Sequence, residues 1–242
     1  MVKACTCLLL VAAVVSPGRA NAAEDRVVHA RAAHGKIIAQ KFKDAGLPYP
    51  AREIFIRWFK REAVVELWAR EDRGRFVLVT SFEILASSGG PGPKRRQGDR
   101  QVPEGFYTIE RFNPESLFHL SLGLNYPNAA DRILAHGGNP GGDIFIHGKN
   151  VSIGCAPIGD AGIEQLYLAA LDTRARGQTR IPVHVFPARM HGAEWDAFAA
   201  GHAALAPFWQ QLQPAYDAFE RDRTVPACTV APDGSYRVAP TR

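Results

Sequence analysis

Residues 144–155 read IFIHGKNVSIGC, and this stretch decides how the chain is interpreted. It begins as an apolar strand and ends in Ser-Ile-Gly-Cys, where a serine and a glycine interrupt regular strand structure. The pattern predicts that Cys155 lies on a turn rather than in a packed core. Gly148 would let the chain reverse, so that the thiol of Cys155 approaches the imidazole of His147.

Such a turn contains the groups that cysteine acyl chemistry requires. A cysteine nucleophile needs a thiolate, a neighbouring base, and backbone N–H groups that can hold an oxyanion. Cys155 and His147 are candidates for the first two, and Gly154 leaves the nearby backbone uncovered for the third. Ser152 either closes the turn or contacts the substrate. An activated Cys155 should titrate below the free-cysteine value of about 8.5.

Three structural interpretations compete with this one. In the first, Cys155 pairs with Cys228 in a disulfide. In the second, His147 is a strand-end histidine satisfied by the backbone. In the third, a zinc ion is held by His147, His136, Cys155 and His184, although no pair of these has the short spacing typical of structural zinc sites. We predict no metal and no cofactor.

The N-terminal residues resemble a secretory leader. Lys3 precedes an apolar run, and Ala20-Asn21-Ala22 has the small-x-small pattern of a signal-peptidase site. We predict a signal peptide at residues 1–22, export of the mature chain, and no stable membrane span because the run is too short. Loss of this leader leaves two cysteines, in a compartment where disulfides persist. Cys228 lies in a Pro-flanked tail, which favours a free Cys155.

Composition excludes some functional classes. Without the leader, 27 basic residues stand against 24 acidic ones, a formal charge of about +3. The densest basic cluster, Lys94-Arg95-Arg96, is short and has no interleaved aromatics, so no nucleic acid partner is predicted. About 220 residues suit one sizeable core.

Periodicity predicts an α+β fold in which mostly antiparallel strands form a β-rich core with helices added at both ends. Predicted helices cover residues 24–44, a stretch with Asp160 as its N-cap, and 193–219. Predicted strands cover residues 53–60, 63–69, 75–85, 106–112, 117–124, 144–146 and 181–186. Residues 87–104, the long loop, should be functional or disordered, and residues 125–143 should form a mobile surface loop. The predicted divisions are residues 1–22, an N-terminal helical segment 23–50, a catalytic domain 51–190, and a C-terminal extension 191–242.

Several motifs in one order carry a family resemblance. Ile146-His147-Gly148 followed by Ser152-x-Gly154-Cys155 resembles the signature of L,D-transpeptidase catalytic domains of the YkuD fold. The YafK-like branch is the closer match, over about residues 41–190. Its motifs recur here at residues 88–94, 98–107, 113–116, 119–121 and 126–128.

The resemblance implies a periplasmic enzyme of the bacterial envelope that attacks peptidoglycan stem peptides at the diaminopimelate position and forms a thioester. By position, Cys155 is the nucleophile, His147 is its base, and the carbonyl of Gly148 orients the imidazole. Gly154 and Cys155 supply oxyanion N–H groups, and Ser152, Lys94 and Tyr107 are candidate substrate-binding residues. The acyl acceptor is an amine or water, and the YafK-like branch also implies hydrolytic release of a murein-linked lipoprotein.

The chain also departs from the family pattern. The interval between histidine and cysteine is eight residues, shorter than in the wider family, and Ile153 stands where that family has a second histidine. Residues 156–158 are Ala-Pro-Ile, where Arg or Asn is common, so recognition of the substrate carboxylate must come from elsewhere. Lys94, Arg95 and Arg96 are candidates, unless they form only a solvated basic loop. A non-catalytic envelope protein that binds murein through residues 87–99 is the competing hypothesis.

Overall fold

The computed structural model describes residues 17–239, with side chains from residue 25 onward. Most of the predicted signal peptide therefore lies outside the described residues, and α1 begins at Pro17. The helices are α1 (Pro17–Asp44), α2 (Ala129–Leu134), α3 (Gly159–Ala175), α4 (Gly192–Ala200) and α5 (Ala206–Asp222), with a 3₁₀ turn at Ala203–Leu205. The strands are β1 (Glu53–Phe59), β2 (Val64–Arg70), β3 (Val77–Glu83), β4 (Gly105–Asn113), β5 (Ser121–Leu124), β6 (Phe145–His147), β7 (Ala156–Pro157), β8 (Ile181–Phe186), β9 (Cys228–Val230) and β10 (Tyr236–Val238).

Eight strands form one sheet in the order β3-β2-β1-β8-β4-β5-β6-β7, and β9 pairs with β10 separately. The β1–β2–β3 meander is antiparallel, as its short polar breaks predict. Within the large sheet only β1–β8 and β6–β7 are parallel. The predicted α+β fold with mostly antiparallel strands is therefore confirmed.

Helices cover both faces of the sheet centre. Ile54, Ile56 and Trp58 of β1 share one core with residues of α1 and α3, such as Phe42 and Leu166. The intervening residues of β1 face the other side, where Phe59 shares a core with Trp209 and Leu212 of α5. Because both faces of β1 are covered, its burial is continuous rather than alternating.

Three local predictions are wrong. Residues 117–120 are not part of a strand, and β5 begins at Ser121. Residues 125–143 are not simply a surface loop, because Asn128 and Asp131 form a capping box at the start of α2 and both side chains are buried. Asp160 is not the N-cap of α3, which is Ile158. The Asp160 side chain instead accepts a hydrogen bond from the backbone N–H of Lys149.

The long loop is held by a buried carboxylate. Glu104 is fully buried and accepts hydrogen bonds from Lys60 Nζ, Gly92 N and Trp209 Nε1 at 2.7–2.9 Å. Since these donors belong to the turn after β1, the loop itself and α5, the loop is fixed to the sheet without regular structure. Among residues 17–239, no helix has both the length and the apolar character required to cross a membrane. The predicted domain boundaries remain predictions.

Candidate active site

The site lies on one face of the sheet and is built from two adjacent cross-strand rows. In the first row, Asn113 of β4 pairs with Ser121 of β5, which pairs with His147 of β6. The second row lies two residues along and contains Arg111, Gly123 and Phe145. Side chains two residues apart on a strand point to the same face.

Cys155 extends the second row. Ala156 pairs with Ile146, so the preceding residue, Cys155, comes opposite Phe145. The thiol and the imidazole therefore share a face, whereas Leu122, Ile146 and Ala156 point into the core on the opposite side. The sequence-predicted pair is brought together by sheet register.

A cavity of about 290 Å³ covers this face. His147, Cys155, Phe145 and Asp143 line it, together with the 113–121 segment through Asn113, Ser116, Leu117, Phe118 and Ser121. The Arg26 guanidinium of α1 holds this wall by donating to the carbonyls of Pro114, Ser116 and His119 at 2.8–3.1 Å. The wall that faces the thiol is thus ordered by the N-terminal helix.

The imidazole of His147 is oriented by its own backbone neighbour. His147 Nδ1 lies 2.6 Å from the carbonyl oxygen of Gly148, and the side chain is 2% exposed. A carbonyl only accepts, so Nδ1 carries the proton and the neutral ring presents Nε2 as an acceptor. Burial lowers the pKa of His147, partly offset by the Gly148 hydrogen bond. The ring of Phe118 packs against the imidazole at a centroid distance of 4.7 Å.

Cys155 lies on a turn closed by Ser152. The Ser152 hydroxyl donates to the Cys155 carbonyl at 2.7 Å and accepts from the Cys155 N–H at 3.0 Å. The thiol contacts the Asp143 carbonyl oxygen at 3.5 Å. Gly154 has φ +102°, and a Cβ there would lie 2.9 Å from the Gln101 carbonyl, so the turn requires glycine.

The thiol pKa differs from the sequence-based expectation. Burial raises the pKa of Cys155, the Phe145 backbone lowers it, the charge of Asp143 raises it, and the charge of Lys94 lowers it. The net direction is upward rather than downward. Together with the lowered pKa of His147, this favours a neutral thiol and a neutral imidazole over a thiolate–imidazolium pair in the free protein.

The predicted oxyanion donors are both occupied. Gly154 N donates to Ser88 Oγ at 2.6 Å, and Cys155 N donates to Ser152 Oγ at 3.0 Å. Neither N–H is free in this structure, contrary to the expectation that the glycine leaves them open. The long loop crosses the turn that carries Cys155. The Ser88 hydroxyl therefore accepts from Gly154 N, where a substrate oxyanion was expected to accept.

Lys94 and Tyr107, the other two predicted substrate-binding residues, do not line the cavity. Lys94 is buried and its Nζ pairs with Asp99 at 2.5 Å, so only its charge acts at Cys155. Tyr107 is buried and its hydroxyl donates to Asp131. Ser152 closes the turn, as one of its two interpretations predicts.

Sequence reasoning missed several residues at the site, among them Ser88, Asp143, Phe118 and Arg111. Each comes from a different segment, and only the sheet register and the loop path bring it to Cys155. One signal was available: residues 111, 113, 121 and 123 lie at period 2 in neighbouring strands.

His147 does end β6 with its Nδ1 bonded to the backbone, as its structural interpretation predicts, whereas the disulfide and zinc interpretations receive no support from the described residues. Cys155 and Cys228 are both free thiols, and Cys228 belongs to β9. Across residues 17–239, no three His, Cys, Asp or Glu side chains are grouped to hold a metal ion.

Comparison with known proteins identifies the family. The family model for the YkuD L,D-transpeptidase catalytic domain matches residues 60–185. The Escherichia coli (strain K12) protein named "Putative L,D-transpeptidase YafK" is 36% identical over 188 residues, which are 77% of this chain and 74% of that protein.

Solved structures give weaker matches. The crystal structure of the helical cell shape determining protein Pgp2 from Campylobacter jejuni is 16% identical, with a TM-score of 0.46 over 74% of this chain and 73% of that one. A mutant of Pgp2 is 21% identical with the same TM-score, and the match spans 69% of this chain and 57% of that one. On the family model and the YafK match, the chain belongs to the YkuD family of L,D-transpeptidase catalytic domains.

Proposed function

We propose that the protein is a periplasmic cysteine acyl-transfer enzyme that acts on the diaminopimelate-containing stem peptides of peptidoglycan. The single observation that carries the proposal is the register of one sheet face. It puts Cys155 and His147 in one cavity, with the imidazole held by Gly148 in the tautomer that accepts a proton at Nε2. Family membership supplies the substrate class.

The proposed reaction begins when the stem peptide enters the cavity. His147 Nε2 takes the thiol proton while the sulfur of Cys155 attacks the peptide carbonyl, forming a tetrahedral oxyanion. Collapse of this intermediate breaks the C–N bond, and His147 returns the proton to the leaving amine. A thioester on Cys155 remains.

The second half of the reaction decides the product. An amine or a water molecule attacks the thioester and gives its proton to His147, and His147 passes that proton to the sulfur of Cys155 as the C–S bond breaks. An amine acceptor gives a crosslink, whereas water gives hydrolysis, including release of a murein-linked lipoprotein. Both outcomes use the same cavity and the same two side chains.

A non-catalytic murein-binding protein is the second candidate, favoured by two specific observations. Both predicted oxyanion N–H groups are occupied, and burial raises the pKa of the thiol. On this alternative the fold is retained for binding, and the long loop with its contact at Ser88 is a fixed part of the surface.

Product analysis separates the two candidates. Purified muropeptides, and murein carrying a linked lipoprotein, are incubated with the wild-type protein and analysed by liquid chromatography and mass spectrometry. We expect crosslinked or cleaved species. We also expect Cys155→Ala to abolish them and His147→Ala to lower turnover by at least about 100-fold, the scale of a lost general base.

Cys228→Ala is the matched control, because it removes the other free thiol of the described chain. It should leave turnover unchanged. If the wild-type protein yields no new species, the binding candidate is favoured. Normal turnover by Cys155→Ala or His147→Ala would refute the role given to that residue.

A further inference from the structure

An ion pair stands at the mouth of the cavity, next to the nucleophile. Arg111 Nη1 lies 2.9 Å from Asp143 Oδ1, and the two side chains are 46% and 78% exposed. Asp143 lines the cavity, and its backbone carbonyl contacts the Cys155 thiol. No residue in the sequence motifs pointed to this pair.

The path of the Arg111 side chain is built into the sheet. It starts on β4, crosses β5 over Gly123, and lies on the ring of Phe145 in β6, with its guanidinium carbon 4.7 Å from the ring centroid. A Cβ at position 123 would lie 3.1 Å from Arg111 Nε and 2.9 Å from Phe145 Cε1. Glycine in the middle strand therefore leaves the space through which Arg111 reaches the cavity mouth.

Both charged groups keep unused hydrogen-bonding capacity. A guanidinium carries five N–H donors and a carboxylate accepts at two oxygens, yet the structure gives each side chain a single hydrogen bond, the one between them. A ligand that carries one carboxylate and one ammonium on the same carbon could meet Arg111 and Asp143 together. A ligand with only one of these charges could satisfy only one of them.

Asp143 has an unfavourable backbone conformation and an unfavourable charge for a residue beside the thiol. Its φ of +58° lies in the left-handed region, which is unfavourable for a non-glycine residue. Its negative charge raises the pKa of the neighbouring thiol and so opposes formation of the nucleophile. An ammonium bound to Asp143 would cancel that charge when substrate is present.

We infer that Arg111 and Asp143 form a subsite for a zwitterionic α-amino acid group, Arg111 binding its carboxylate and Asp143 its ammonium. The inference rests on the proposed function, because the free end of a diaminopimelate side chain carries this pair of charges. Arg111 and Asp143 are thus specificity-determining residues for the side chain of the attacked residue. Binding of the substrate ammonium to Asp143 also removes the effect of the Asp143 charge on the Cys155 thiol.

Binding measurements on the full chain test this inference. Affinities are measured by calorimetry in the Cys155→Ala background for two stem peptides, one with diaminopimelate and one with lysine, which lacks the distal carboxylate. We expect a preference of about 10- to 100-fold for the diaminopimelate peptide, the scale of one charge-assisted hydrogen-bonded contact. Arg111→Gln should remove that preference. Asp143→Asn should weaken the binding of both peptides, because both carry the distal ammonium.

Arg176→Gln is the control, because Arg176 forms an exposed ion pair with Glu71 outside the cavity lining. It should leave both affinities unchanged. A second readout is the rate at which iodoacetamide alkylates Cys155 at neutral pH with no peptide present. Asp143→Asn should raise this rate while it lowers peptide affinity, a combination that simple loss of structure would not produce.

Three results would overturn the inference. The wild-type protein could bind the two peptides with equal affinity, or bind neither detectably. Alternatively, Arg111→Gln could lower both affinities by the same factor. Failure of the proposed function is distinguishable from these results. It would appear as no turnover by the wild-type protein while the diaminopimelate preference and its loss in Arg111→Gln persist.

Discussion

At the scale of single residues, the site combines a buried imidazole with a partly buried thiol, and the pKa shifts of both groups favour their neutral forms. Burial lowers the pKa of His147 and raises the pKa of Cys155. This arrangement favours general-base transfer of the thiol proton over a preformed thiolate–imidazolium pair. The hydrogen bond to Gly148 then matters because it determines which ring nitrogen is free.

The lowered pKa of His147 predicts the acid limb of the pH–rate profile. The base must be neutral to accept the thiol proton, and a lowered pKa keeps it neutral to more acidic pH. The acid limb of kcat/KM should therefore lie below 6.5, the ordinary histidine value. Steady-state kinetics across pH 4–8 with a stem peptide would check this, and an acid limb at or above 6.5 would contradict it.

The sequence predicted those site residues that lie close to one another along the chain. Cys155, His147, Gly148 and Ser152 lie within nine residues, so turn chemistry alone places them together. Lys94 and Tyr107 do not line the cavity, because Asp99 pairs with the Lys94 charge and buried Asp131 accepts a hydrogen bond from the Tyr107 hydroxyl. Pairing of that kind depends on tertiary packing, which composition does not reveal.

At the scale of elements, the long loop is the component that the sequence described least well. Its composition suggested either function or disorder, and the structure has it ordered by Glu104 and by the contact from Gly154 to Ser88. Ser88 also lines a second cavity of about 180 Å³ with Lys60 and Phe198. The loop therefore lies between the turn that carries Cys155 and this second cavity.

Ser88→Ala tests whether Gly154 N–H binds the oxyanion. If it does, the Ser88 hydroxyl competes with the substrate for that donor, and its removal should raise kcat/KM by about 2- to 10-fold, the worth of one net hydrogen bond. The matched control is Ser87→Ala in the same loop. Unchanged or reduced kcat/KM in Ser88→Ala would show that the oxyanion is held elsewhere.

Helix α1 was predicted from its periodicity, and its contacts show which segments it supports. Besides the Arg26 contacts to the 113–121 wall, His34 of α1 and His119 of that wall both bind the buried carboxylate of Glu164 in α3. These bonds join three separate segments behind the cavity. Periodicity could predict the helix, but not which loop it would hold.

At the scale of the whole molecule, the sequence predicted the fold class because strand runs, turn residues and the motif order agree. The strand order did not follow from the same signals. The parallel β1–β8 pairing joins residues more than 120 positions apart, and no local pattern marks it. This pairing puts His184 at the sheet centre, between Phe55 and Phe106 at ring distances of 4.8 and 4.6 Å.

Buried His184 predicts acid sensitivity of the fold. Burial and the neighbouring charge of Arg57 lower its pKa from 6.5 to about 3. As pH falls from 6.5 towards 3, the unfolded chain binds a proton that the folded protein does not. The free energy of unfolding should therefore fall across that window, by up to about 5 kcal/mol.

Urea unfolding of wild type and His184→Phe across pH 3–7 measures this effect. The variant should lose most of the pH dependence, because phenylalanine does not titrate and fills a similar volume. Asp131, whose pKa burial raises to about 6, acts in the opposite direction in both proteins, so the difference between them isolates His184. Exposed His29→Gln is the control, and equal slopes in wild type and His184→Phe would refute the assignment.

The central claim is that Cys155 forms a thioester with a stem peptide while His147, on the same sheet face, takes the thiol proton. Its most direct test is peptide-mapping mass spectrometry of the full chain, quenched in acid during turnover of a diaminopimelate-containing stem peptide. We predict that the acyl fragment of the peptide is attached to Cys155, is released by hydroxylamine, and is absent from His147→Ala. An acyl group on another residue, or products formed with Cys155 never acylated, would contradict the account.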